Sequence, residues 1–317
     1  MKKRLLACLL TLVMLLALLP ATALAADPTT SSSCGENLTW TLTQNKDSTT
    51  YTLTISGSGD MADYAVGKAP WHTALGTNKS DREKINTIVL PNGLTHIGNN
   101  AFLQASVTEV KIPATVISIG TNAFWNCNTI QTTIPASVRE LGATAFYGTF
   151  VVNVDANSPY LCSEENGKVL YSKDKTTLYQ VSQDCAGAFT IPSTVTTIND
   201  YAMYGCKDTS GKLVIPDSVQ TIGQAAFYGT GFTALDLGNG VKEIGTSAFN
   251  TCSNMKGDLV IPTSVTTIGE NAFASTGFNG KLDFQAQIEE FPAAIFKGLK
   301  FTSVSFSDSV KTIGDRA

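Results

Sequence analysis

A chain of 317 residues, 43% hydrophobic and only 15% charged, can bury a large core and is too apolar to be disordered. Its formal charge is −4, with 26 acidic residues against 22 basic ones. That balance argues against nucleic acid as a partner, since a phosphate backbone needs clustered Lys and Arg.

The first element is a secretion signal. Lys2, Lys3 and Arg4 make a positive start, Leu5 to Leu19 an apolar run, and Ala23-Leu24-Ala25 a small-residue cleavage site. Residues 1–25 are therefore expected to be removed, and the run is short of the roughly 20 residues that a membrane span needs. Cys8 lies near the start of the apolar run and not after it, so it is not read as an acylation site. Without Lys2, Lys3 and Arg4, 19 of the 22 basic residues remain against 26 acidic ones, a net charge of −7. No later stretch is long and apolar enough to span a membrane, and the expected location is extracellular, at a bacterial cell surface.

Residues 26–84 form a leader and a cap. Residues 26–33 are rich in Ser and Thr and are expected to be flexible. Leu38 to Leu42 and Tyr51 to Ile55 alternate with period two around a polar turn, which predicts a β-hairpin shielding the open end of whatever follows. Asp60 to Lys84 reads as irregular.

From residue 85 to 317 one phrase recurs, Ile-Pro-x-x-Val-x-x-Ile-Gly-x-x-Ala-Phe. It runs from Leu90 to Phe102, Ile112 to Phe124, Ile134 to Phe146, Ile191 to Met203, Ile215 to Phe227, Leu237 to Phe249 and Ile261 to Phe273. A degenerate copy spans Phe284 to Phe296, and a ninth begins at Phe306. The step is 22 to 24 residues, a leucine-rich-repeat period. In each copy the apolar–polar alternation of Val110-Lys111-Ile112 predicts a strand, which proline ends because it has no N–H for a ladder. Val116 and Ile119 point inward, Gly120 permits a tight turn, and Ala123 and Phe124 close the coil. One such coil cannot bury its apolar side alone; stacked coils can. The predicted fold is a repeat solenoid, formally α/β-type but mostly β and irregular.

One step, from Pro135 to Pro192, spans 57 residues and holds an insertion at 150–189. Lys168 to Ser172 and Thr177 to Val181 flank a polar Lys173-Asp174-Lys175-Thr176 turn, which predicts a second hairpin after the Asn166-Gly167 turn. Six cysteines survive removal of the signal. Cys162 and Cys185 bracket the hairpin, and a disulfide there would close a loop of about 24 residues at a gain of about 3 kcal/mol; two free thiols are the alternative. Cys127, Cys206 and Cys252 occupy one column of the repeat and read as small buried residues.

The copy from Leu259 to Phe273 resembles the BspA-like leucine-rich-repeat family of bacterial surface proteins. The head, Cys34 to Leu42 with Tyr51 to Gly59 and Ala69-Pro70-Trp71, is similar to the cap that precedes such repeats, and Asn166-Gly167-Lys168-Val169-Leu170-Tyr171 is similar to inserts in that family. The resemblance implies adhesion to host or neighbouring-cell proteins.

The residues themselves carry little catalytic signal. There is no Gly-x-Ser-x-Gly elbow, His-Glu-x-x-His, P-loop or dinucleotide fingerprint. His72 and His96 are the only histidines, His96 in a variable, solvated slot and His72 in the cap. No metal or cofactor is expected. The outward face of the predicted strands carries Glu109, Lys111, Lys212, Asp236, Asp258, Lys281 and Asp283, read either as a solvated face or as a ligand-binding one. Trp125, Tyr147, Tyr204 and Tyr228 form an aromatic stripe, read either as coil-to-coil packing or as a platform for protein or sugar. The expected function is non-catalytic binding of a protein or glycan. The alternatives are a structural spacer or the N-terminal part of a larger surface enzyme.

Overall fold

The computed structural model describes residues 29–46, 49–76, 78–127, 131–148 and 151–317; the secretion signal read at 1–25 lies outside them. The architecture is a solenoid of stacked coils, mostly β, closed at its N-terminal end by a three-stranded antiparallel cap.

The cap comprises β1 (Thr29–Gly35), β2 (Leu38–Gln44) and β3 (Tyr51–Asp60). The expected hairpin is β2–β3, with Trp40 opposite Ile55 and Leu42 opposite Leu53. β1 corrects the reading of residues 26–33 as flexible: from Thr29 onward the Ser/Thr run pairs with β2, and the Trp40 indole N–H donates to the Ser32 hydroxyl at 2.8 Å. β-Branched Thr and small Ser suit an edge strand as well as a flexible leader, so composition alone does not separate the two. β3 continues into the array, pairing in parallel with both Ile85–Val89 and Gly93–Ile97. Two short helices, Pro70–Leu75 and Lys79–Arg82, occupy the segment read as irregular. They bring in Trp71, which is fully buried, donates its indole N–H to the Ala101 carbonyl and stacks on Phe102 at 5.8 Å. Trp71 thus heads the phenylalanine column, followed by Phe102, Phe124 and Phe146 at spacings of 5.2 and 5.3 Å.

Within the array the continuous ladder is not the strand expected before proline. It is a two-residue strand just before the glycine: Ser118–Ile119 pairs with Glu140–Leu141, and Thr197–Ile198, Thr221–Ile222, Glu243–Ile244 and Thr267–Ile268 stack in parallel. The pre-proline strand is intermittent. Lys212–Val214 pairs with Ala234–Asp236, and Leu259–Ile261 with Lys281–Phe284 and then Ser303–Phe306, but around Lys111 a single bridge forms among the described residues, Glu109 to Gln131. Two residues are too short to show a period of two, so the better-formed strand was the less visible one.

The glycine column also has a different role from the one expected. Gly120 does not make the turn; a Cβ there would sit 2.6 Å from the backbone nitrogen of Asn99, and the equivalent atoms at Gly142, Gly245 and Gly269 would meet the preceding coil's backbone at 2.3 to 2.5 Å. Glycine is required by the close approach of successive coils. The turn is made two residues later, in the left-handed region, by ordinary residues: Asn122, Thr144, Tyr201, Ala225, Ser247 and Asn271, at φ of 50 to 58°. Each such conformer costs about 1 kcal/mol or more. It is offset by aiming alternate N–H groups along the stack: Asn122, Phe124 and Asn126 donate to the carbonyls of Ala143, Ala145 and Tyr147 in the next coil.

The insertion interrupts this regularity. Leu161–Glu164, Val169–Ser172 and Thr177–Val181 form an antiparallel meander, and its last strand pairs in parallel with Thr197–Ile198. The hairpin thereby takes the place of one coil. Here the glycine column carries Asn199, whose N–H donates to Leu178 of the hairpin. The apolar interior divides at the same place. Leu170 packs into the core of the N-terminal half, whereas Val169 and Tyr171 pack into the other.

Candidate binding surfaces

The seven charged residues of the outward face do not form one site. Glu109 and Lys111 lie before the insertion and the other five after it, on two separate small sheets. Most of the five brace neighbouring coils. Lys212 Nζ lies 2.7 Å from Asp236 Oδ2, and that hydrogen bond holds the Asp236 carboxyl below the usual carboxylate range. Asp258 accepts the Lys281 backbone N–H at 2.7 Å, and Asp283 accepts the Ser305 hydroxyl at 2.9 Å. Between them Val214 and Val260 are about half exposed, at 50% and 48%.

A constellation missed by the sequence is the trio Asp63, His96 and Ser118. His96 Nδ1 lies 2.7 Å from the Ser118 hydroxyl, and Nε2 lies 3.3 Å from Asp63 Oδ1. The three come from the cap, the first coil and the second, brought together because Asp60 pairs with His96 and His96 with Ser118. These are the residue types of a nucleophilic triad. Asp63 Oδ1 also accepts the Asn99 N–H at 2.7 Å, so its carboxylate is shared between the imidazole and the backbone. The arrangement links three successive layers.

The aromatic stripe is a stack. Trp125 faces Tyr147 at 5.7 Å, Tyr147 meets Tyr204 edge-on at 5.4 Å, and Tyr204 faces Tyr228 at 4.6 Å. Two of the three contacts are face to face and the middle one is edge-on, so the rings pack on one another from coil to coil. All four rings remain partly exposed. Tyr201, not singled out by the sequence, joins the cluster at 5.7 Å from Tyr204. Trp125 and Tyr201 flank a groove of about 410 Å³ at the level of the insertion, with Thr121, Thr144 and Asp200 on its rim.

The bridge weighed between Cys162 and Cys185 is not formed; both are free thiols. Cys162 lies on the outer strand of the meander, where its thiol donates to the Ser172 carbonyl at 3.4 Å. The buried column behaves as a substitute for Thr. Cys127 and Cys252 donate to the Phe102 and Phe227 carbonyls at 3.1 and 2.9 Å, and burial pushes the Cys127 thiol up to about 12. Such thiols are inert. In the cap, His72 is fully buried, with neither ring nitrogen hydrogen-bonded among the described residues. Desolvation, reinforced by the nearby Arg82 cation, drives it down to about 3. Among the described residues no group of His, Cys, Asp and Glu is arranged to hold a metal ion, and no helix is long and apolar enough to cross a membrane.

Comparison with known proteins agrees with this geometry. The family described as BspA type Leucine rich repeat region matches residues 75–164, 182–299 and 281–317, in six copies. Solved structures share the fold. A leucine-rich repeat protein from Eubacterium ventriosum is 21% identical, with a TM-score of 0.54 over 90% of this chain and 93% of that one. The Pneumococcal vaccine antigen PcpA is 18% identical, with a TM-score of 0.56 over 90% and 87%. A leucine rich cell surface protein from Faecalibacterium prausnitzii is 17% identical, with a TM-score of 0.59 over 92% and 96%. No curated protein matches the chain.

Proposed function

The chain belongs to the BspA-type leucine-rich-repeat family, and from that premise we propose that it is an exported, non-catalytic binding protein that attaches to protein or glycan on a host or neighbouring-cell surface. One observation carries the reading. The inward columns repeat the same residue types from coil to coil, whereas the outward positions differ at nearly every step: Lys111, Thr133, Thr190, Val214, Asp236, Val260 and Asp283 fill one and the same slot. A scaffold fixed inside and variable outside suits recognition, which is set by the groups placed on a fold and not by the fold itself. Export rests on the signal read at residues 1–25, and a surface location is in keeping with the cell surface protein of the same fold from Faecalibacterium prausnitzii.

The test is a solid-phase assay of the purified mature chain against immobilised matrix glycoproteins, mucin and defined glycans, with bacterial cells as a further surface. Saturable binding to at least one of them is expected. Failure on every surface would overturn this reading and leave the structural spacer and the N-terminal part of a larger surface enzyme as the alternatives.

A further inference from the structure

The seam between the two halves of the solenoid leaves hydrogen-bonding groups that the repeat elsewhere consumes. Each left-handed turn residue donates its N–H to the carbonyl just before its counterpart in the next coil. Asn100 donates to Thr121, Asn122 to Ala143, Tyr201 to Gln224, Ala225 to Thr246 and Ser247 to Glu270. The rung joining Thr144 to Asp200 is missing, because the inserted hairpin stands between those coils on the sheet side. Neither the Thr144 N–H nor the Asp200 carbonyl has a hydrogen-bond partner among the described residues. Both residues line the groove of about 410 Å³ flanked by Trp125 and Tyr201.

We propose that this groove binds a neutral oligosaccharide. The inference rests on the binding reading above and gives it a place and a ligand class. A pyranose ring has an apolar C–H face and a rim of hydroxyls that both donate and accept. The groove offers the complement: two aromatic side chains with Val66, 65% exposed, beside them, and an open donor and an open acceptor one coil apart. Its charge selects against the alternatives. No Lys, Arg or His lines it, and Asp200 stands on its rim with Oδ1 already held by the Gln224 N–H at 2.7 Å, so an anionic glycan or a phosphate meets a carboxylate and no cation. An extended peptide is disfavoured because the missing rung belongs to a left-handed turn and not to a strand edge, so it offers no periodic row of N–H and C=O groups to pair with.

The protein supplies its own probe. Of its three tryptophans Trp40 and Trp71 are buried, and Trp125 alone is partly exposed. Acrylamide quenching of the intact mature chain therefore reads the groove. The titrants are maltotetraose, cellotetraose and chitotetraose, with tetragalacturonate and an uncharged heptapeptide as the anionic and peptide arms. At least one neutral sugar is expected to protect Trp125 saturably. Tyr201→Ala is expected to weaken that protection about tenfold with unchanged circular dichroism. The proposal is overturned if no neutral sugar protects, if only tetragalacturonate or the peptide does, or if protection survives Tyr201→Ala. Surface binding in the solid-phase assay without protection of Trp125 would remove the groove and leave the broader reading intact; loss of both would remove both.

Discussion

Between Phe227 and Phe273 the solenoid repeats almost without variation. Phe227, Phe249 and Phe273 lie parallel to within 5° and 5.2 Å apart, and every turn N–H of those coils reaches the next one. Between Tyr147 and Tyr204, in the neighbouring aromatic column, the stacking changes character. The rings meet at 90°, a hairpin replaces a coil, and the Thr144–Asp200 rung is absent. The two regions show that perfect repetition uses up its own chemistry. Groups become available to a partner only where the repetition is broken.

Perturbing the regular region should be costly. Phe249→Ala removes a fully buried ring from the middle of a stack, and a loss of about 3–5 kcal/mol is expected in urea denaturation. If the variant unfolds at the wild-type midpoint, the stack is not what holds the C-terminal half together. Gly245→Val forces a Cβ to within 2.5 Å of the Gln224 nitrogen, and a loss of about 3 kcal/mol is expected. At the seam the same column carries Asn199, which faces a hairpin and not a coil, so Asn199→Val should cost less than half as much. Equal losses at the two positions would refute the distinction.

The cap responds to acid. His72 is neutral when folded, with a pKa of about 3 against 6.5 as its ordinary value, so the unfolded chain binds the extra proton. Stability is fully present above pH 6.5 and falls as the pH drops toward 3, by up to about 4 kcal/mol. His72→Leu should flatten thermal stability over that window; a slope unchanged in the variant would assign the sensitivity elsewhere. A smaller and opposite effect is expected at Ser247, held at a φ of 58° with no side-chain bond among the described residues. Ser247→Gly should stabilise by about 1 kcal/mol, read as a higher melting temperature. Smallest of all, Lys212→Ala breaks an exposed ion pair and should change stability by no more than about 0.5 kcal/mol.

The phenylalanine, isoleucine and cysteine columns were legible because each repeats at a fixed step and each is buried for the same reason. The cap hairpin and the inserted hairpin were legible from alternation around polar turns. The ladder at Ser118–Ile119 was not, since two residues carry no period, and the left-handed turns were hidden because Tyr201, Ala225 and Thr144 are not residues that announce them. The groove could not be read at all. It depends on Thr177–Val181 taking a coil's place beside Thr197–Ile198, a pairing between segments whose sequences share no pattern. Among the charged residues of the outward face, periodicity located the slots correctly but could not tell that Asp236, Asp258 and Asp283 are engaged by their own neighbours.

The strand Val169–Ser172 sends Leu170 into one apolar interior and Val169 and Tyr171 into the other. Such a strand is a party wall. Each compartment is sealed by a partition that the adjoining one also holds in place, so melting should proceed in two stages, with the second hastened by the first. A pull applied along the axis should open the molecule at this wall before it peels any coil from either end.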